Sequence, residues 1–157
     1  MSRKRLLLSL AVLVLLVVTA SVVAQMAAPA RTYSNGSVWN ISFIRMKPGM
    51  DSAYLSYVAT DWKREQDALR QEGLALSYRV IQTEAHSPTD WNLMLMTEYK
   101  DLASMEAGQT RADAVLQRVI GSDETQRQGY RNRADMREVL GTRVAREIRL
   151  VPETTAR

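Results

Sequence analysis

Arg79 and Asn92 offer the most chemistry in this chain. A guanidinium and a carboxamide, each set in a run of alternating apolar side chains, can hydrogen-bond an oxyanion as it develops on an enolic or aromatic substrate. Trp91 and Tyr99 border the same runs and could orient such a substrate. They share the parity of Leu93 and Leu95, however, and periodicity assigns that parity to a core. Arg79 and Glu98 suit a second role, an ion pair between two facing sheets that fixes their register. His86, the single histidine, lies beside Pro88 in a polar stretch and reads as a solvated turn residue. One histidine and no cysteine exclude a thiol nucleophile, a disulfide framework and an imidazole or thiolate zinc site. A metal would have to be held by carboxylates alone, and Asp51, Asp61, Asp90 and Asp101 stand apart as caps or surface charges. No metal site and no cofactor is therefore assigned. Phosphate-cradling glycine loops, a serine nucleophile elbow and a paired-histidine helix are also missing.

The elements that would position these groups follow from periodicity. Residues 25–36, with Pro29, Asn35 and Gly36, read as a flexible arm. From Val38 to Lys47 a strand is expected, with Trp39, Ile41 and Phe43 on the core face and Asn40, Ser42, Ile44 and Met46 on the other. Pro48-Gly49 ends it, and Asp51 is placed to accept hydrogen bonds from the first amides of a helix. Leu55, Val58, Trp62 and Leu69 then recur at helical spacing, with Lys63, Arg64, Glu65, Asp67, Arg70 and Glu72 on the wet side. Gly73 stops that helix as a left-handed cap. A second strand, Leu74 to Thr83, and a third, Asp90 to Tyr99, are joined by a short polar connection that favours an antiparallel pair. Lys100 to Gly141 is helical in composition, and Thr142 to Val151 alternates as a fourth strand before Pro152 and a short tail, 152–157. Strand, helix, strand, strand, helices, strand is the split βαβ plan, an α+β fold of ferredoxin-like βαββαβ topology with an antiparallel sheet.

One expected face of this sheet is apolar enough to lie under the helices, where each large side chain contributes about 1.5–3 kcal/mol on burial. The other collects Asn40, Ser42, Ile44, Met46, Ser77, Arg79, Ile81, Asn92, Met94, Met96 and Glu98. It is too apolar for a solvated surface and too polar for a dry interior. Methionines beside hydrogen-bonding groups suit a facing sheet or an adaptable cavity. The face is therefore expected to meet its copy in a homodimer. Asn40, Ser42, Ile44, Arg79, Asn92, Met94, Met96 and Glu98 are the candidate residues for a small apolar or aromatic ligand.

The layout of Val38-Trp39-Asn40-Ile41 before Pro48-Gly49, Leu76-Ser77-Tyr78-Arg79-Val80, Trp91 to Met96 leading into Thr97-Glu98-Tyr99-Lys100-Asp101-Leu102, and Leu140-Gly141-Thr142 before Arg146-Glu147-Ile148 resembles the dimeric α/β-barrel superfamily. The resemblance covers residues 37–151. It implies a βαββαβ unit whose sheet pairs face to face with its twin, each chain keeping a pocket. Members include cofactor-independent monooxygenases, small-ring isomerases and haem-degrading oxygenases, so fold alone does not decide activity. The haem-degrading set of Asn, His and Trp is not carried over, because His86 precedes the third strand and does not stand on the helix after it. Three readings stay open: a ligand-binding homodimer, a cofactor-independent monooxygenase or isomerase acting on an enolisable aromatic substrate, and a self-association module without ligand.

Arg3, Lys4 and Arg5 precede the apolar run Leu6 to Val18, and small residues follow to Ala24. This is the layout of a secretory signal peptide, 1–24, with Val22 and Ala24 fitting a peptidase pocket. Cleavage after Ala20 and an uncleaved N-terminal membrane anchor are the alternatives, although a spanning helix needs ~20 apolar residues. Export to the periplasm or beyond is the expected localisation, with membrane contact only through this segment. Removing three cations leaves 18 basic against 17 acidic residues, so the chain's charge falls from +4 to +1 and gives no reason to expect nucleic acid as a partner. Nine arginines between Arg111 and Arg149, interspersed with six acids, read as a solvated helical surface. Of two glycosylation sequons, Asn35-Gly36-Ser37 and Asn40-Ile41-Ser42, the second falls in a predicted strand, which argues against its use. N-terminal sequencing of the chain from an exporting host should begin at Gln25. A start at Ser21 identifies the earlier cut, and an intact N-terminus identifies the anchor.

Overall fold

The computed structural model describes residues 32–150. The expected signal peptide, the first part of the arm and the tail lie outside them. Strand β1 (Tyr33–Met46) is followed by α1 (Asp51–Tyr57), a π-helical turn (Val58–Trp62) and α2 (Lys63–Gln71), which run on as one helical segment. Then come β2 (Ser77–Gln82), β3 (Leu93–Tyr99), α3 (Leu102–Ala107), α4 (Gln109–Ile120), α5 (Asp123–Ala134) and β4 (Arg137–Leu150). The sheet order is β2-β3-β1-β4, with every neighbouring pair antiparallel. Since β1 and β2 both run against β3, they are parallel to each other, and the helical segment between them is the crossover of a split βαβ unit. The ferredoxin-like plan expected from periodicity is the plan observed.

Several boundaries differ from expectation for local reasons. β1 starts at Tyr33, inside the predicted arm, because Tyr33 to Asn35 find partners in Leu150 to Ile148 of β4. β4 starts at Arg137 and not at Thr142, pairing Arg137 to Met46. β3 ends opposite Val38, so the outer parts of β1 and β4 continue past it as a two-stranded ribbon. Asp51 makes no cap hydrogen bond; it contributes only its charge to the first turn of α1. Asp101 does cap α3, accepting from the Ser104 amide at 2.7 Å. Gly49 and Gly73 take φ of 76° and 68°, as the turn after β1 and the cap after α2 require.

The core lies between the sheet and the α1–α2 segment: Ile44, Met46, Tyr54, Val58, Trp62, Leu93 and Leu95 are buried together. Tyr54, Val58, Trp62 and Gln66 face the sheet at steps of four residues, each of which overshoots an α-helical turn by roughly 40°. The wider π turn between Val58 and Trp62 absorbs that drift and keeps the apolar row aligned. A smaller cluster of Leu69, Ala75 and Val115 joins α2 to α4.

The faces of β1 are the reverse of the sequence expectation. In antiparallel pairs, opposed residues share a face, so Asn40, Ser42 and Ile44, opposite Thr97, Leu95 and Leu93, lie on the helix side. Trp39, Ile41 and Phe43, opposite Glu98, Met96 and Met94, lie on the open side. Both parities of β1 carry large apolar groups, so bulk suggested the wrong one; burial decides it, with Ile44 at 2% exposure and Met46 at 3%. β2 and β3 hold their expected faces. One polar pair crosses the core: the Thr97 hydroxyl donates to Gln66 Oε1 at 2.8 Å, both residues being buried. Thr97→Val should cost about 1–3 kcal/mol in urea unfolding by stranding that carbonyl. Combining it with Gln66→Leu should cost less than the sum of the two single changes.

Candidate functional site

The predicted ligand residues divide between two sides of the sheet. Ile44 belongs to the core, Ser42 lies 3.5 Å from the Thr142 hydroxyl, and only Asn40 of the helix-side three borders a cavity. On the open side, the Arg79 guanidinium sits 5.2 Å above the Trp39 ring and the Glu98 carboxylate accepts from the Ser77 hydroxyl. Among the described residues Arg79 and Glu98 form no ion pair within the chain; the pairing expected of them is one between two facing sheets. Asn92 is structural: its amide donates to the Ile44 carbonyl at 2.9 Å and its Oδ1 accepts from the Met46 amide at 2.8 Å, locking the start of β3 to β1. Within the chain Arg79 lies over Trp39, whereas Asn92 is bonded to β1 at Ile44 and Met46. Trp91 stands edge-on to Phe43 with centroids 5.5 Å apart and is not in the helix-side core expected for it. His86 is exposed, its amide bonded to Asp90 Oδ2 at 3.2 Å.

Two features remain. The first is the open sheet face, where Trp39, Ile41 and Phe43 form the middle column beside Met94 and Met96, with Arg79 on β2 and Arg143 on β4 flanking them. All five apolar residues stay partly exposed in the single chain.

The second is a cavity of about 240 Å³ between the sheet and helices α3 and α4. Leu74, Tyr99, Met105 and Ala112 give it apolar walls, and Asn40 from the sheet and Glu106 and Gln109 from the helices give it polar ones. Burial raises the Tyr99 phenol above its ordinary range, keeping it neutral and able to donate a hydrogen bond. The volume equals the liquid share of roughly eight waters, enough for a small organic molecule. Strand periodicity pointed to Asn40 and Tyr99, although Asn40 was placed on the opposite face. Leu74, Met105 and Gln109 were missed, since their meeting depends on how α3 and α4 cross the sheet.

No protein-family model matches the sequence, and no curated protein matches it. Among solved structures, the chain is similar to a NIPSNAP family protein with unknown function from Agrobacterium tumefaciens, at 19% identity and a TM-score of 0.48, over 74% of this chain and 93% of that one. It is similar to HapK from Hahella chejuensis at 14% identity and a TM-score of 0.44, over 76% and 98%. A dimeric ferredoxin-like protein from an uncultured marine organism matches at 13% identity and a TM-score of 0.44, over 75% and 98%.

A tyrosine–arginine cluster lies at the other end of the helical layer, where solvated arginines were expected. Arg137 is only 7% exposed, with its guanidinium 5.6 Å from the Tyr54 ring and 5.0 Å from that of Tyr130. Arg133 stacks 4.5 Å over Tyr57. Burial raises the Tyr57 phenol, with the Glu65 charge adding to the effect. Glu65, expected on the wet side, is partly buried, and desolvation raises its carboxyl despite the opposing charge of Arg133. A carboxyl held above its unfolded value of 4.5 favours the protonated fold, so its penalty is absent below that pH and grows as pH rises through the folded value. Glu65→Gln should therefore raise the melting temperature at pH 7, and the gain should shrink to nothing near pH 4.

Proposed function

We propose that the chain is an exported homodimer whose open sheet faces pack on each other, and that each copy holds a small apolar or aromatic molecule between its sheet and helices α3 and α4. The observation that carries the pairing is the column Trp39, Ile41 and Phe43 with Met94 and Met96, left uncovered by the chain's own helices. A two-fold axis lets the same strip serve as both partners. Thioethers adapt to irregular gaps, which suits two twisted sheets meeting face to face. Arg79 and Arg143 flank the strip, where they stay hydrated while the apolar middle is buried.

The ligand reading is supported by the lining of the 240 Å³ cavity, where Asn40, Gln109 and the exposed Glu106 border apolar walls. Because its one charged residue, Glu106, is solvent-exposed, such a lining orients an uncharged or weakly polar molecule without the desolvation penalty of a buried charge. Export rests on the layout of residues 1–24. In sedimentation velocity at micromolar concentration the purified protein should run as a dimer. Ile41→Glu should give a monomer with unchanged far-ultraviolet circular dichroism, since the change adds a charge to the interface and leaves the helix-side core intact. A wild-type monomer overturns the pairing. Native mass spectrometry should detect a small adduct that Ala112→Phe, which fills the cavity, abolishes.

A further inference from the structure

Beneath α5 lies a second cavity, of about 370 Å³, bordered by Glu65, Leu116, Ile120, Thr125, Tyr130 and Arg133. Its chemistry is unbalanced. The Nε atoms of Arg133 and Arg137 are both buried without a hydrogen-bond partner. Among the described residues neither guanidinium is ion-paired, whereas Arg127 at the rim of the cavity is already held by Glu124. Stacking on Tyr57, Tyr54 and Tyr130 offsets part of the desolvation of the two cations but leaves both Nε donors without an acceptor. A donor left unsatisfied in a buried setting is costly, and a charged one more so.

The backbone around Arg133 is shaped to this arrangement. Gly129 sits in the interior of α5, where glycine costs about 1 kcal/mol against alanine. A Cβ there would come within 3.0 Å of Arg133 Nη1, so the missing side chain leaves room for the guanidinium over the helix.

We propose that this cavity binds a small organic monocarboxylate, its carboxylate received by the Arg133 guanidinium and its apolar body lying against Leu116, Ile120 and Tyr130. A planar guanidinium matches a carboxylate in shape and charge. Two guanidinium groups border the cavity, but Arg127 is already paired with Glu124, and Glu65 shares the site with Arg133, so a monoanion is favoured over a phosphate dianion. Burial raises the Glu65 carboxyl above its ordinary range, and a carboxyl in its protonated form can donate a hydrogen bond to a carboxylate.

Benzoate and its neutral isostere benzamide are the probes, titrated into the purified chain while the methyl resonances of Leu116 and Ile120 are followed. Benzoate should shift both, and benzamide should bind at least about tenfold more weakly. Arg133→Gln should lose benzoate by a similar factor. Arg118→Gln, which breaks an exposed pair with Glu72, should not. Equal affinity for the two probes, absence of shifts at Leu116 and Ile120, or displacement of benzoate by equimolar inorganic phosphate would each overturn the assignment. The benzoate–benzamide comparison decides the matter even if Arg133→Gln fails to fold. Ile41→Glu should leave benzoate binding unchanged, so failure of this site and failure of the sheet pairing are separable.

Discussion

Strand β1 carries large apolar side chains on both of its faces, and the chain's own helices reach only one of them. That constraint organises the molecule. Val38, Ile44 and Met46 are buried on the helix side, while Trp39, Ile41 and Phe43 form the middle of the uncovered side. A strand apolar on both sides is ordinarily covered on both. The two-layer ferredoxin-like arrangement satisfies half of that requirement, and the identical copy proposed above would supply the other half.

The order of elements was legible because each strand alternates and each helix is punctuated. Gly49 and Gly73 adopt the left-handed conformations expected of them, and β2 and β3 present the faces that parity assigns. β1 was not legible in its orientation. Its two parities differ little in apolar content, so no local pattern says which faces inward; only the register against β3, a non-local pairing, makes that choice. The bulges of the β1–β4 pair, between Asn35 and Val38 and between Phe43 and Ile44, were equally hidden, since each depends on a partner more than ninety residues away.

The candidate site was legible to a lesser degree, for a related reason. Sequence spacing groups residues that share a strand face, whereas the cavity between sheet and helices is bounded by Asn40 and Tyr99 from below and by Met105, Gln109 and Ala112 from above. Helix-borne walls of this kind become visible only when the layers are stacked. Arg133 and Arg137 show the same effect for charge. Among interspersed acids they look solvated, yet the fold brings tyrosine rings over them and leaves their Nε atoms dry.

The π-helical turn at Val58–Trp62 ties the length of the crossover to its packing. Removing one residue at this turn would restore ordinary α geometry and leave the downstream faces in place, whereas inserting one more into the helical segment would swing everything downstream by about 100° around the axis. On such an insertion Gln66 would leave Thr97, and Leu69 would leave Ala75 and Val115. Lineages related to this chain should therefore tolerate exchanges of side chain in the helical segment far better than insertions, with length variation confined to a one-residue loss at the π turn and to surface connections such as that between β2 and β3.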